Sequence, residues 1–205
     1  LSPKTPSSKA SRVPSREGEV TRTALLDAAQ VLMRTRGYAG FSYRDISLRV
    51  GIRNASIHHH FPSKAALGAA LAKRHVEAAM AELEQAGLSA RDASSRVAHY
   101  AGLFRNALEL NGMCLCGMIA AEVALVPPEM TEEVRRFIRF SVDWLSESLQ
   151  PDLPHSEARR RALHVVATLE GAALMAHGFG DISFFDDVAA QLLDEYRTLS
   201  PAAGA

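Results

Sequence analysis

From Thr21 onward the large apolar residues of this chain recur at helical spacing, and no stretch alternates apolar and polar residues for longer than four positions. A period near 3.6 puts those residues on one face of a helix, whereas a half-buried strand needs a period of two. The chain therefore reads as all-α, with about nine helices separated by glycines and prolines. Ala24, Leu25, Ala28, Val31 and Leu32 predict a first helix over 20–36, stopped by Gly37. Ser42 opens a second, short helix with Asp45 in the place of the usual capping-box Glu or Gln, and its apolar stripe of Ile46 and Val50 ends at Gly51. A third short helix over 53–60 is closed by Phe61 and Pro62, because the residue before proline is disfavoured in helical geometry.

The remaining boundaries follow the same cues. Ser63 caps a fourth helix reaching 84 or 85, and Ser89 with Asp92 reads as a capping box for a fifth over about 90–110. A sixth, over 113–124, is stopped by Pro127 and Pro128, and a seventh runs from Thr131 to about 149. An eighth covers 155–177 before Gly178 and Gly180, and Ser183 with Asp186 caps a ninth that reaches 199. At 205 residues, 47% of them hydrophobic, the chain can bury a core without disulfides or a structural metal. Its two cysteines, Cys114 and Cys116, are too close to staple distant segments, which favours a reducing cytoplasm. No apolar run of eighteen residues and no signal-like leader is evident, so no membrane partner is expected.

Charge divides the chain. Residues 1–74 carry thirteen Lys/Arg against four Asp/Glu, a net +9, and the remainder carries ten against nineteen, a net −9. The first segment suits a polyanion. Residues 1–18 mix Pro, Ser and basic residues with almost no large aliphatics and read as a disordered basic arm. The divisions expected are that arm, a basic unit over 19–66, and an acidic helical unit over 67–200.

Two short helices joined at a glycine turn, behind a longer supporting helix, form a helix-turn-helix, whose second helix fits the major groove. Stepping about 100° per residue from Ile57 turns His60 and Phe61 inward with it and leaves Ala55, Ser56, His58 and His59 outward, with Asn54 at the entering end. Ser42 and Tyr43 at a helix N-terminus can bond a phosphate, and Arg44, Arg53 and Lys64 can neutralise phosphates from the flanks. Base reading falls to Asn54, Ala55, Ser56 and His59, since Asn can serve adenine and an alanine methyl can touch thymine.

The stretch GYAGFSYRDISLRVGIRNASIHHHFPSKAAL resembles the DNA-binding signature of the tetracycline-repressor (TetR) family, over about Val20 to Leu71. Gly37 and Tyr38 match its first turn, Ser42 its capping position, Ile46 and Val50 its core places, and Gly51 and Ile52 its central turn. Ile57, His60, Phe61 and Lys64 match as well. The family's phosphate-contacting Tyr falls on His58, its recognition-helix Gly on Ala55, and its Ser on Arg53. The resemblance implies a homodimer joined by the eighth and ninth helices, a palindromic double-stranded operator, and an effector pocket within helices four to seven. Candidates to line that pocket are Tyr100, Phe104, Met113, Met118, Phe137, Phe140 and Trp144. The run from Cys114 through Ile138 is similar to a subgroup containing an N-ethylmaleimide-responsive repressor, whose sensing cysteine aligns with Cys114.

Other motifs carry less. His58, His59 and His60 project about 100° apart and cannot converge on one ion, and His75, His99, His155, His164 and His177 show no ligand spacing, so neither metal nor cofactor is expected. No nucleophile motif stands out, so no enzyme is expected. Cys114 and Cys116, at the start of a helix whose dipole favours thiolate, are candidate thiol sensors, although two small buried hydrophobes are the plainer reading. Apolar stripes through Val165, Val166, Leu169, Ala172, Ala173 and Met175 and through Val188, Leu192, Leu193 and Tyr196 exceed what one core needs and suggest the dimer contact. The expected function is a ligand-responsive transcriptional regulator, most simply a repressor; the alternative is a helical enzyme or carrier that uses the same pocket.

Overall fold

The computed structural model describes residues 16–197 apart from Arg91, Asn111, Pro151 and Asp152. Among the described residues there are nine helices and no strand: α1 (Arg16–Arg36), α2 (Tyr43–Val50), α3 (Asn54–His60), α4 (Lys64–Gly87), α5 (Ala93–Glu109), α6 (Leu115–Ala121), α7 (Pro128–Leu149), α8 (His155–Phe179) and α9 (Ser183–Arg197).

In the N-terminal head, α1 buries Leu25, Leu26, Ala29, Leu32 and Met33 against α2 and α4, while Ile46 of α2 and Ile57 of α3 plug the space between. Each fully buried leucine or isoleucine contributes about 1.5–3 kcal/mol. Gly51 takes the left-handed conformation (φ 77°) that ends α2 and sends the chain into α3. Helix α4 belongs to both regions, since it starts beside α3 and runs on to pack against α5, α6 and α7.

In the body, α8 lies between α7 and α9 with α5 crossing beneath, around Tyr100, Phe104, Phe185, Val165 and Leu169. Tyr100 meets Phe104 edge-on at 5.4 Å, and Phe104 stacks on Phe185 at 6.3 Å. By length and composition alone α8 is long and apolar enough to cross a membrane, although Glu170 and the arginines of its first turns leave it without an uninterrupted apolar run of eighteen residues. Packing against α5, α7 and α9 buries Val165, Leu169, Ala172 and Ala173.

Several ends differ from expectation. Helix α1 starts at Arg16, with Glu17 and Glu19 in the first turn favouring the dipole, so 16–18 are helix and the rest of the proposed arm lies outside the described residues. Asp92, not Ser89, caps α5, accepting from the Ser95 amide at 2.8 Å. Asp181 accepts from the Ser183 amide at 2.9 Å ahead of α9, in place of the expected Ser183 cap. The expected end at 199 lies outside the described residues. Helix α6 has seven residues rather than the dozen expected, and α7 starts earlier, with Pro128 in its first turn, where a missing amide costs nothing.

Candidate nucleic-acid interface

Helix α3 has two distinct sides. Ile57 is fully buried and Phe61, just beyond the helix, is 3% exposed, whereas Asn54, Ala55, Ser56, His58 and His59 face solvent and His60 is half-buried. The outer side is thus small or polar along its length, as close approach to a duplex requires. Arg53 caps α3 from an extended conformation and is exposed, as is Arg44 on α2. Neither has an ion pair or hydrogen bond among the described residues.

The other candidate contacts are already engaged within the chain. The Ser42 hydroxyl and amide both donate to Asp45 Oδ2, at 2.6 and 2.8 Å, and these two bonds hold the Asp45 carboxyl below the usual range. Ser42 therefore shows its surroundings an acceptor, and the free donors at this helix end are the first-turn amides of Tyr43 and Arg44. The Tyr43 hydroxyl donates to the Phe61 carbonyl at 2.8 Å, and its ring meets that of His58 edge-on at 4.8 Å. Burial pushes the Tyr43 phenol up to about 12. Lys64 Nζ donates to the Phe41 carbonyl at 2.5 Å and lies over the Tyr38 and Phe41 rings at 4.6 and 4.5 Å. Burial lowers its pKa. Both side chains thus lock the turn around α2 and α3, which local sequence does not reveal. Among the described residues no group of three His, Cys, Asp or Glu is placed to hold a metal; the His59 and His60 rings meet edge-on at 5.6 Å, and that of His58 turns to Tyr43.

Head and body meet through α6. Glu122, at the C-cap of α6, accepts the Tyr38 amide on Oε2 at 2.6 Å, and its other oxygen lies against the Gly37 backbone. At the opposite end of α6, Cys114 lines a cavity of about 190 Å³ with Arg34, His75, Phe104, Asn106 and Phe137. A second cavity, of about 210 Å³, is lined by Tyr100, Cys116, Phe137, Val166 and Glu170.

The two thiols therefore face different spaces. Cys114 is half-buried; Cys116 is buried, and a hydrogen-bond contact with Cys114, burial and the nearby Glu170 push its pKa well up, opposite to the thiolate expected of a helix start. Of the seven pocket candidates, Phe104, Tyr100 and Phe137 line these cavities. Met113, Met118, Phe140 and Trp144 line neither; Trp144 is buried beneath the Arg96 guanidinium, 4.9 Å from its ring centre. Arg34, His75 and Glu170 were not foreseen, and His75 in particular is a cavity residue rather than an ordinary one.

The apolar stripes of α8 and α9 also divide. Val165, Leu169, Ala172, Ala173, Leu192 and Tyr196 fill the core of the chain itself. The exposed apolar set is instead Leu163, Leu174, Met175, Phe179 and Phe184, with the last two rings stacked at 4.6 Å.

Comparison with known proteins gives matches to the N-terminal region and to the chain as a whole. The family model described as bacterial regulatory proteins, tetR family, matches residues 25–71. A TetR-family transcriptional regulator from Agrobacterium tumefaciens is 31% identical, with a TM-score of 0.79, over 87% of this chain and 98% of that one. A TetR transcriptional regulator from Legionella pneumophila is 26% identical, with a TM-score of 0.79, over 90% and 98%. The reduced form of E. coli NemR shares the fold at 21% identity and a TM-score of 0.67, over 84% and 95%. No curated protein matches.

Proposed function

Because the chain belongs to the TetR family of bacterial transcriptional regulators, we propose that it is a dimeric repressor, released from a palindromic operator by a small effector bound in the body. The observation that carries this reading is the outer side of α3, where Asn54, Ala55, Ser56 and His59 stand exposed over the buried Ile57. In the proposed complex these residues meet base edges, and Arg44, Arg53, His58 and Lys64 hold the phosphates together with the first-turn amides of Tyr43 and Arg44, while the Ser42 and Tyr43 side chains fix the turn. Arg16, at the start of α1, extends the basic surface; Lys9 and Arg12, the other residues proposed to reach a minor groove, lie outside the described residues.

The head corresponds to 19–66 and the effector and dimer unit to 67–200. The exposed Leu163, Leu174, Met175, Phe179 and Phe184 on α8 and α9 supply an apolar face suited to a four-helix contact with a second copy. Such a dimer works in the cytoplasm, beside its DNA. Effector binding shifts the population between two dimer geometries, and α6, touching the Arg34 cavity at one end and Tyr38 at the other, is the element that carries the shift.

Selection of bound oligonucleotides from a random pool tests the reading. A two-fold symmetric site whose affinity falls steeply with salt is expected; a salt-independent complex contradicts phosphate-led binding. A helical enzyme using the same cavities would instead turn over a substrate without DNA. The half-buried Cys114 on the cavity wall supports electrophile release as a second trigger. Alkylation should free the operator, and Cys114→Ser should abolish that response; an unaltered response in the variant removes the thiol from the mechanism.

A further inference from the structure

The Arg34 cavity holds a cation that no carboxylate of the described residues pairs with. Arg34 lies in the last turn of α1, half-buried, with its Nε enclosed and without a hydrogen-bond partner among the described residues. Among the described residues no ion pair reaches it, although every described arginine of α4–α9 has a carboxylate partner. A guanidinium stays charged at neutral pH, and a partly enclosed charge is ordinarily paired. The Gly112 backbone packs against the Arg34 stem, where an added Cβ would meet Cδ at 3.0 Å, so the side chain is held in place.

Around the guanidinium the lining is mixed. Leu103, Phe104 and Phe137 supply an apolar wall, and His75 and Asn106 supply polar atoms. Burial, with Arg34 and Arg74 nearby, pushes the His75 pKa down to about 4, so its ring is neutral near pH 7 and does not add a second cation.

We infer that this cavity binds a small monocarboxylate, with its carboxylate on the Arg34 guanidinium and a ring or short alkyl body against Phe104 and Phe137. The space of about 190 Å³ slightly exceeds the roughly 150 Å³ that holds a benzene ring, which sets the ligand's size. Glu82 stands exposed on the lining and opposes a second negative charge, so a monoanion fits better than a phosphate or dicarboxylate. This inference rests on the effector reading above and names the effector's chemical class. It also gives that effector a direct hold on the head, because Arg34 is one turn before the Gly37–Tyr38 segment that Glu122 grips.

Benzoate and hexanoate are the probes, benzamide is the neutral isostere of benzoate, and titration calorimetry on the full chain is the readout. Both carboxylates should bind, with benzamide at least about tenfold weaker, as loss of a charge-assisted contact implies. Arg34→Gln, checked by its cooperative melt, should weaken benzoate about tenfold or more without changing benzamide, and Arg34→Lys should restore part of the difference. Ala78→Phe, which fills the cavity rim while leaving Arg34 intact, should block both carboxylates. If the chain binds a selected operator but neither carboxylate, or if Arg34→Gln and Ala78→Phe leave benzoate affinity unchanged, the inference is overturned and the regulator reading stands. If the chain selects no DNA site, the regulator reading itself fails.

Discussion

Arg159, Arg160 and Arg161 on α8 turn back onto Asp143 and Glu157, whereas Arg44, Arg49 and Arg53 on and beside α2 and α3 stand exposed with neither ion pair nor hydrogen bond among the described residues. The same side chain serves two ends. Exposed pairs add only about 0–1 kcal/mol each, so those on α8 matter less for stability than for neutralising the charge of these arginines at the surface of a body that is acidic as a whole. Around α2 and α3 no described carboxylate pairs with Arg44, Arg49 or Arg53, and their potential is left for a polyanion. The contrast teaches that the +9 of the first 74 residues is unevenly placed: Asp45 goes to Ser42 and Arg36, and Asp27 to Arg74, so the arginines on and beside α2 and α3 keep their charge.

The contrast can be pressed at four points. The largest effect is expected from Phe61→Ala, since the Phe61 ring fills the head core at 3% exposure and the Arg22 guanidinium lies over it. It should cost about 3–5 kcal/mol. Denaturant unfolding should show the head melting ahead of the body; one unchanged transition would mean that the two regions do not differ in how they are held.

Next comes acid. The folded pKa of His75, about 4, lies below its ordinary value, so the unfolded chain takes up the proton first. This contribution is complete above about pH 6.5 and is lost as pH falls towards 4, amounting to about 3 kcal/mol at the low end. His75→Asn should flatten that part of a urea-midpoint curve. The head titrates lower: Asp45 stabilises above the ordinary carboxylate range and ceases to do so only as pH falls through its depressed pKa.

The third test sets arginines against each other. Arg44→Ala with Arg53→Ala should make the salt slope of DNA binding shallower by about two, while Arg159→Ala with Arg160→Ala should leave it unchanged. Equal effects would erase the distinction drawn above. The smallest change is expected from Glu122→Gln, which keeps shape but removes the charge from the bond to the Tyr38 amide. A loss of about 1 kcal/mol there corresponds to roughly fivefold faster exchange of that amide.

Much of this fold was legible because helical period and punctuation are local properties. The two sides of α3 followed from residue spacing alone, with Ile57 and Phe61 in and Asn54 and His59 out. Where several acceptors compete for one helix end, spacing does not decide, and Asp92 displaced Ser89 as the cap of α5 because its carboxylate reaches the Ser95 amide. The tethers of Tyr43 to Phe61 and of Lys64 to Phe41 span 18 and 23 residues and leave no mark on any short motif. The cavity is harder still to foresee. Arg34, His75, Asn106 and Cys114 come from separate segments, and a size-based search for large apolar residues selected Met113, Met118, Phe140 and Trp144, which the bundle places elsewhere.

Gly37 has φ 70°, and any Cβ there would sit 2.0 Å from Glu122 Oε1. Anyone grafting this head onto another regulator's body, or another head onto this body, should therefore move Gly37, Tyr38 and Glu122 as one inseparable unit. A chimera joined anywhere between them inherits either a steric collision or an orphaned carboxylate, and the seam between the two regions is compromised before any DNA is offered.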